Sequence, residues 1–362
     1  MWDNLYEHYC KKYSVAYDEE YALKLIETIE KANENTDISS IEIEKFNNVF
    51  LNKVEGRITK YGINNNEIFE NFNIILDLQE VLNDGDEVYI DITHSFRSNA
   101  MWMFLVMNFI TDLLDKNIEI KMISYGMFEI SDRENNITPI IDLNAFYKLL
   151  KWIKGAQSFK NYGNNYLLLD SIENEEISKK LKTFSHAMNL NYIGTLKQNL
   201  NSLKRLLPQI DEIKGPGKLL IPGIVKEFIA EFDGIEKDFI LQARLAKWHY
   251  KQSIYAMAYI NINEAVMGYV ADELKDFYPN EKGEELIKHA KKWLLTLTPI
   301  EYFKVYDHSR RVRNDIAHSL GEKESAINDV ISLANYCEKI ENMLSQKGFI
   351  FNWESQNNLV KK

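Results

Sequence analysis

The sequence predicts an N-terminal α/β domain followed by an all-α region, on three observations. Strand-like and helix-like segments alternate as far as Leu143, and beyond it the strand signal nearly vanishes. Only 15 glycines and 6 prolines occur in 362 residues, which leaves little sequence for long linkers. Strands that alternate with helices favour a parallel sheet with helices packed on its faces.

The elements follow in order. Residues 20–33 read as an amphipathic helix, with Leu23, Ile26 and Ile29 at helical spacing. Residues 41–46 fit a short strand. Phe72, Ile75, Leu76 and Leu78 give residues 69–82 a helical period, which Asn83-Asp84-Gly85-Asp86 ends. Residues 87–92 are β-branched and aromatic, and read as a strand. A helix over 98–115 and a strand over 118–125 complete the α/β part. Past Leu143, helices are expected over 146–152, 177–207, 224–229 and 239–269, with a helical region over 284–346. Residues 214–223 hold two prolines and three glycines and are the best candidate for a loop or domain boundary.

Composition narrows the function classes. With 45% hydrophobic and 27% charged residues, the chain has the profile of a folded globular protein. Its net charge of −11 argues against non-specific duplex-DNA binding, which needs a surplus of Lys and Arg. Cys10 and Cys337 form neither a metal-ligand spacing nor a disulfide framework. The apolar stretch 100–110 is too short to span a bilayer, and no cleavable signal opens the chain. These features lead to the expectation of a cytoplasmic protein with no membrane association and no metal.

The first motif is Asp91-Ile92-Thr93-His94-Ser95-Phe96-Arg97-Ser98, where a strand gives way to a helix. Ligands of open α/β sheets bind beyond the carboxyl ends of the strands, and helix N-termini attract anions. Arg97 can clamp a phosphate, while Phe96 or His94 can stack on a base. Tyr125-Gly126, ending the next strand, lies on the same edge. The plainer alternative is that Thr93 or Ser95 caps the helix and Arg97 makes a surface ion pair.

The second motif is Arg310-Arg311-Val312-Arg313-Asn314-Asp315-Ile316-Ala317-His318. Positions five apart on a regular helix diverge by roughly 140°, so Arg313 and His318 do not share a face. Asn314 and His318 do, with Arg310 beside them. Joint catalysis by Arg313 and His318 therefore needs a local irregularity or a site shared between two subunits. Such a pair suits RNA transesterification. The imidazole, with an ordinary pKa near ~6.5, exchanges protons at neutral pH. The guanidinium stabilises a phosphorane, and the ribose 2′-hydroxyl supplies the nucleophile, so no cofactor is needed. An Arg-rich surface helix bearing one His is the plainer alternative. Arg311 and Asp315, four apart, suit a solvated ion pair.

Taken together, these blocks resemble the CARF–HEPN ribonucleases of type III CRISPR systems. Residues 91–98 resemble the signature of the Rossmann-like CARF sensor, which usually has Gly where Ser95 stands. Trp152, Ala156, Phe159, Tyr162 and Gly163 resemble the helix that leaves the sensor. Arg313 to His318 fits the Arg-x4–6-His motif of HEPN domains, and residues 245–265 resemble that domain's opening helix.

The resemblance implies a CARF-like α/β sensor over residues 1–145, an all-α connector over 146–235 and an all-α HEPN ribonuclease domain over 236–350. It implies a homodimer that binds cyclic oligoadenylate through Thr93, His94, Ser95, Phe96, Arg97, Ser98, Tyr125 and Gly126. It also implies cleavage of single-stranded RNA by Arg313, His318 and Asn314 from both protomers. Glu264 is a candidate to fix Arg313 by an ion pair, or else a solvated helix charge. The family normally opens with a hydrophobic strand. Met1-Trp2-Asp3-Asn4-Leu5 instead resembles the start of the following helix, so the first strand is expected to be missing. A non-catalytic cyclic-oligonucleotide sensor, and a sensor that degrades its own messenger, fit the same residues.

Overall fold

Apolar side chains three and four residues apart mark the first helices, and their burial makes a small all-helical core at the start of the chain. The computed structural model describes residues 2–33, 41–48, 56–93, 97–114, 116–135, 137–169, 172–214, 216–219, 221–296, 300–318 and 326–349. It divides into two compact units, Met1–Tyr147 and Lys148–Lys362.

In the first unit, α1 (Trp2–Tyr13) and α2 (Glu19–Glu30) bury Tyr6, Cys10, Tyr21, Ala22 and Leu25 together. Asp18 caps α2 by accepting the Tyr21 N–H at 3.0 Å. The strand expected over residues 41–46 is a helix instead, α3 (Ile43–Asn48). Its Ile-Glu-Ile alternation finds no partner strand among the described residues. A helical turn seats Phe46 against the Tyr6 ring, and Tyr21 donates to the Ile41 carbonyl at 2.9 Å. Tertiary packing here overrides local propensity.

The helix expected over 69–82 breaks at Asp77 into α4 (Asn65–Leu76) and α5 (Leu78–Val81). Then come β1 (Glu87–Asp91), α6 (Arg97–Leu113), β2 (Glu119–Gly126) and β3 (Ile140–Asp142). The sheet has the order β1-β2-β3, with β1 and β2 parallel and β3 antiparallel to β2. The sheet is thus mixed, and β3 was not legible because three residues are too few for alternation to show. Asn144 fixes it from below, its amide donating to the Lys121 carbonyl at 3.0 Å. The register sends Ile90 and Ile123 into a core with Ile75, Val106, Met107 and Ile110. Tyr89 and Ile140 occupy the opposite face and are exposed. Among the described residues, helices therefore cover one face of the sheet.

The second unit is all-helical. The helix α7 (Asn144–Tyr162) runs into it, followed by α8 (Tyr166–Leu169), α9 (Glu175–Leu190), α10 (Ile193–Asp211) and α11 (Ile221–Phe232). The single helix expected over 177–207 is two, because Asn191 takes a left-handed φ of 54° and closes α9. Phe159, Phe184 and Trp248 ring Phe228 with centroids 5.0–5.6 Å away. Within 214–223, read as a loop or domain boundary, Ile221 joins this core. A Cβ on Gly217 would lie 1.4 Å from the buried Trp152 ring, so only glycine fits.

Next come α12 (Asp238–Lys251), α13 (Tyr255–Glu273), α14 (Glu284–Thr296), α15 (Glu301–Ala317) and α16 (Ala326–Leu344). The helix expected over 239–269 is likewise two, parted at Ser253, whose φ is 61°. Helix α12 is apolar on two sides. Leu241, Leu245 and Trp248 join the first core, and Ala243 and Ala246 join a second built on Tyr259, Ile262, Val266, Leu333 and Ile340. Arg244 ties the layers, its Nε and Nη2 donating to Glu341 at 2.8 and 2.7 Å and its Nη1 to the Glu231 carbonyl at 3.0 Å.

His249, beside Trp248 on the same helix, is 3% exposed. Burial pushes its imidazole down to about 4, opposed in part by a hydrogen bond to the Leu245 backbone. The unfolded chain takes up this proton near pH ~6.5, whereas the folded one resists it. The associated stability is therefore fully present above the unfolded value and is lost as pH falls towards the folded one. The loss amounts to about 3 kcal/mol. His249→Phe should flatten the fall in urea midpoint between those two pH values. An undiminished fall would refute the assignment.

Candidate functional site

Two places carry the chemistry-bearing residues, one in each unit. At the end of β1 the Ile92 N–H still bonds the Ser124 carbonyl of β2 at 3.0 Å, so the chain leaves the sheet just after it. The Thr93 hydroxyl donates to Asp91 Oδ1 at 2.5 Å and accepts the Gly126 N–H at 2.8 Å. Its backbone N–H also reaches Asp91 Oδ1, at 2.8 Å. Thr93 thus braces the carboxyl ends of the two parallel strands. A Cβ on Gly126 would approach Thr93 Cγ2 to 3.0 Å, which explains the glycine.

The structure therefore brings Thr93 and Gly126 together, with Tyr125 beside them donating to Glu129 at 3.2 Å. Ser98 is exposed in the first turn of α6. His94, Ser95 and Phe96 lie outside the described residues, as does the Arg97 side chain. The carboxyl ends of a parallel strand pair and the N-terminus of a 17-residue helix meet here, a setting suited to an anion. Thr93→Val keeps the shape but removes the hydroxyl that bonds Asp91 and the Gly126 N–H. It should cost about 1 kcal/mol in urea unfolding, and wild-type stability would refute the brace.

The second place is the seam between α13 and α15. Arg313 Nη1 donates to Glu264 Oε1 at 2.8 Å and to Asn263 Oδ1 at 3.2 Å. Behind it, Asn263 is buried and its amide donates to the Tyr306 carbonyl at 3.2 Å and the Ser309 hydroxyl at 3.1 Å. Burial raises the Glu264 carboxyl above the usual range, while the Arg313 guanidinium pulls it back. Of the two roles open to Glu264, the ion pair is the one observed. Among the described residues, Arg313 Nε and Nη2 carry no hydrogen bond.

Helix α15 runs without interruption to Ala317, and His318 is its exposed C-cap, with its N–H on the Asn314 carbonyl at 2.9 Å. A regular helix carries His318 roughly 140° around and about 7.5 Å along from Arg313. No hydrogen bond joins the two among the described residues. Asn314, partly exposed, lies one turn before His318 on its face. Asp307 binds Arg310 at 3.0 Å and Arg311 at 3.2 Å, so Arg311 pairs with the carboxylate one turn before it, whereas the sequence suggested Asp315, one turn after it. On the side facing α16, His308 meets the Tyr336 hydroxyl at 2.9 Å and Asp329 Oδ1 at 3.2 Å. Sequence reasoning missed Asn263 and Ser309. The signal for the first was present: Asn261 and Asn263 interrupt an apolar helix, which buried amides do only when bonded.

No group of three or more His, Cys, Asp or Glu side chains that could hold a metal is found among the described residues. Nor is any helix among them long and apolar enough to cross a membrane.

An α/β unit with a braced strand edge and an all-helical unit with an Arg–His helix end are features found here in a chain similar to CRISPR-associated proteins. Residues 148–236 match the family model described as CRISPR-associated protein MJ1674, second domain. The chain is 32% identical over 362 aligned residues to CRISPR-associated protein MJ1674 of Methanocaldococcus jannaschii, covering 92% of this chain and 56% of that one. It thus spans a little over half the length of this curated relative. The similarities support a CRISPR-associated protein.

Proposed function

We propose that this chain is a metal-independent endoribonuclease for single-stranded RNA. In this reading, cyclic oligoadenylate bound by a homodimer's α/β units at the Thr93–Gly126 edge switches it on. The observation that carries the reading is the state of Arg313. One of its nitrogens is tied back to Asn263 and Glu264, its Nε and Nη2 carry no hydrogen bond among the described residues, and an exposed His318 ends the same helix.

In this mechanism a ribose 2′-oxygen attacks the adjacent phosphorus and the bond to the 5′-oxygen breaks. His318 moves the proton, accepting it from the 2′-hydroxyl or giving it to the leaving oxygen. The Nε and Nη2 edge of Arg313 stabilises the extra negative charge on the phosphorane. Asn314 orients His318 or the scissile phosphate. The products carry a 2′,3′-cyclic phosphate and a 5′-hydroxyl. Because Arg313 and His318 diverge on one helix, a working site draws on both protomers. Messenger binding favours the dimer arrangement in which the pairs face one groove.

A second reading rests on Glu264. A guanidinium already paired with a carboxylate also serves as a tie between α13 and α15, and the chain would then be a non-catalytic cyclic-oligonucleotide sensor. His318→Ala separates the two, since an exposed cap residue can be removed without disturbing the core. Cleavage of a quenched fluorescent RNA should fall by roughly 100-fold or more, with melting temperature and messenger affinity unchanged. Retained cleavage in this variant would overturn the catalytic assignment.

A further inference from the structure

Asn263 is 1% exposed in the middle of an apolar helix, where an amide is expensive unless every bonding group is used. Its two N–H groups go to the Tyr306 carbonyl and the Ser309 hydroxyl, at 3.2 and 3.1 Å. Those two donations fix the orientation of the amide, so that Oδ1 faces Arg313 and accepts from Nη1 at 3.2 Å. Glu264 holds the same nitrogen at 2.8 Å, but through a side chain that is 31% exposed and has its own rotamer freedom.

Two acceptors converging on one nitrogen set the direction of the guanidinium plane. The edge formed by Nε and Nη2 carries no hydrogen bond among the described residues, and such an edge can grip two oxygens of one phosphate. We infer that Asn263 is a positioning residue that presets Arg313 for a scissile phosphate, an inference that rests on the ribonuclease reading above. Asn263 touches no substrate in this account. Its amide transmits the rigidity of the α13–α15 seam to the guanidinium. Ser309 completes the relay and also donates to the Tyr306 carbonyl at 3.0 Å, so that bond survives the loss of Asn263.

The test compares Asn263→Leu, which keeps the volume, with Asn263→Asp, which keeps an oxygen facing Arg313. kcat and KM for single-stranded RNA are measured in the full-length, messenger-activated protein, below the melting temperature of every variant. Asn263→Leu should lower kcat roughly 10- to 100-fold, since small misplacements of a catalytic group cost that much. KM should stay within about threefold, because the misplaced guanidinium still attracts the phosphate. Asn263→Asp should recover part of the loss in kcat, because its oxygen still meets Arg313 although the two donations that aim it are gone. A purely structural role predicts instead that both variants lose stability and that kcat is unaffected below the melting point. Wild-type kcat in Asn263→Leu, or equal impairment of the two variants, overturns the inference while leaving the ribonuclease reading intact. A wild-type protein that leaves RNA uncut overturns that reading and this inference together.

Discussion

The second unit depends on the seam where α13 packs against α15. Tyr259, Ile262 and Val266 of α13 and Tyr302, Val305 and Tyr306 of α15 are almost wholly buried in one core. A helix pair packed this closely tolerates a polar group only if it is fully bonded, and the Asn263–Ser309–Tyr306 set meets that condition. Helix α15 is also held from its other side, where His308 bonds both Tyr336 and Asp329 of α16. Held on both sides, α15 carries Arg313 and His318 on a rigid rod rather than on a loop. Sites on rigid elements keep their geometry, as positioning chemistry demands.

The Arg313–Glu264 pair shows which effect wins at that seam. Burial disfavours the Glu264 charge and Arg313 favours it, and burial is the larger of the two, so the carboxyl remains raised. The pair is only partly buried, so its contribution to stability is small beside the apolar packing around it. Its value lies in orientation. The Thr93 brace in the first unit follows the same logic: a hydroxyl and a glycine lock two strand ends together.

Much of this was legible in the sequence where periodicity is long. β1, α6 and β2 stand where alternation and helical spacing put them, within two residues at each end among those described. The failures share one cause, which is that short segments take their structure from neighbours. Residues 41–46 became helical to seat Phe46, and three residues at Ile140 became a strand because β2 offered an edge. Two long helices proved to be pairs because Asn191 and Ser253 adopt positive φ, which no periodicity reveals. At the candidate site the motif residues and the Glu264 support were legible, and the buried Asn263 support was not. Arg313, Asn314 and His318 form a local run, whereas the Asn263 contact joins positions fifty residues apart. Thr93 was legible as part of its motif, whereas the bond its hydroxyl accepts from the Gly126 N–H, thirty-three positions on, was not.

The measurement that tests the account most directly is cleavage of a quenched fluorescent single-stranded RNA in EDTA, with and without cyclic tetra- and hexa-adenylate. The account predicts cutting that appears only with one of the rings and leaves 2′,3′-cyclic phosphate ends. RNA left intact with both rings, or cut equally without either, would contradict a messenger-gated ribonuclease.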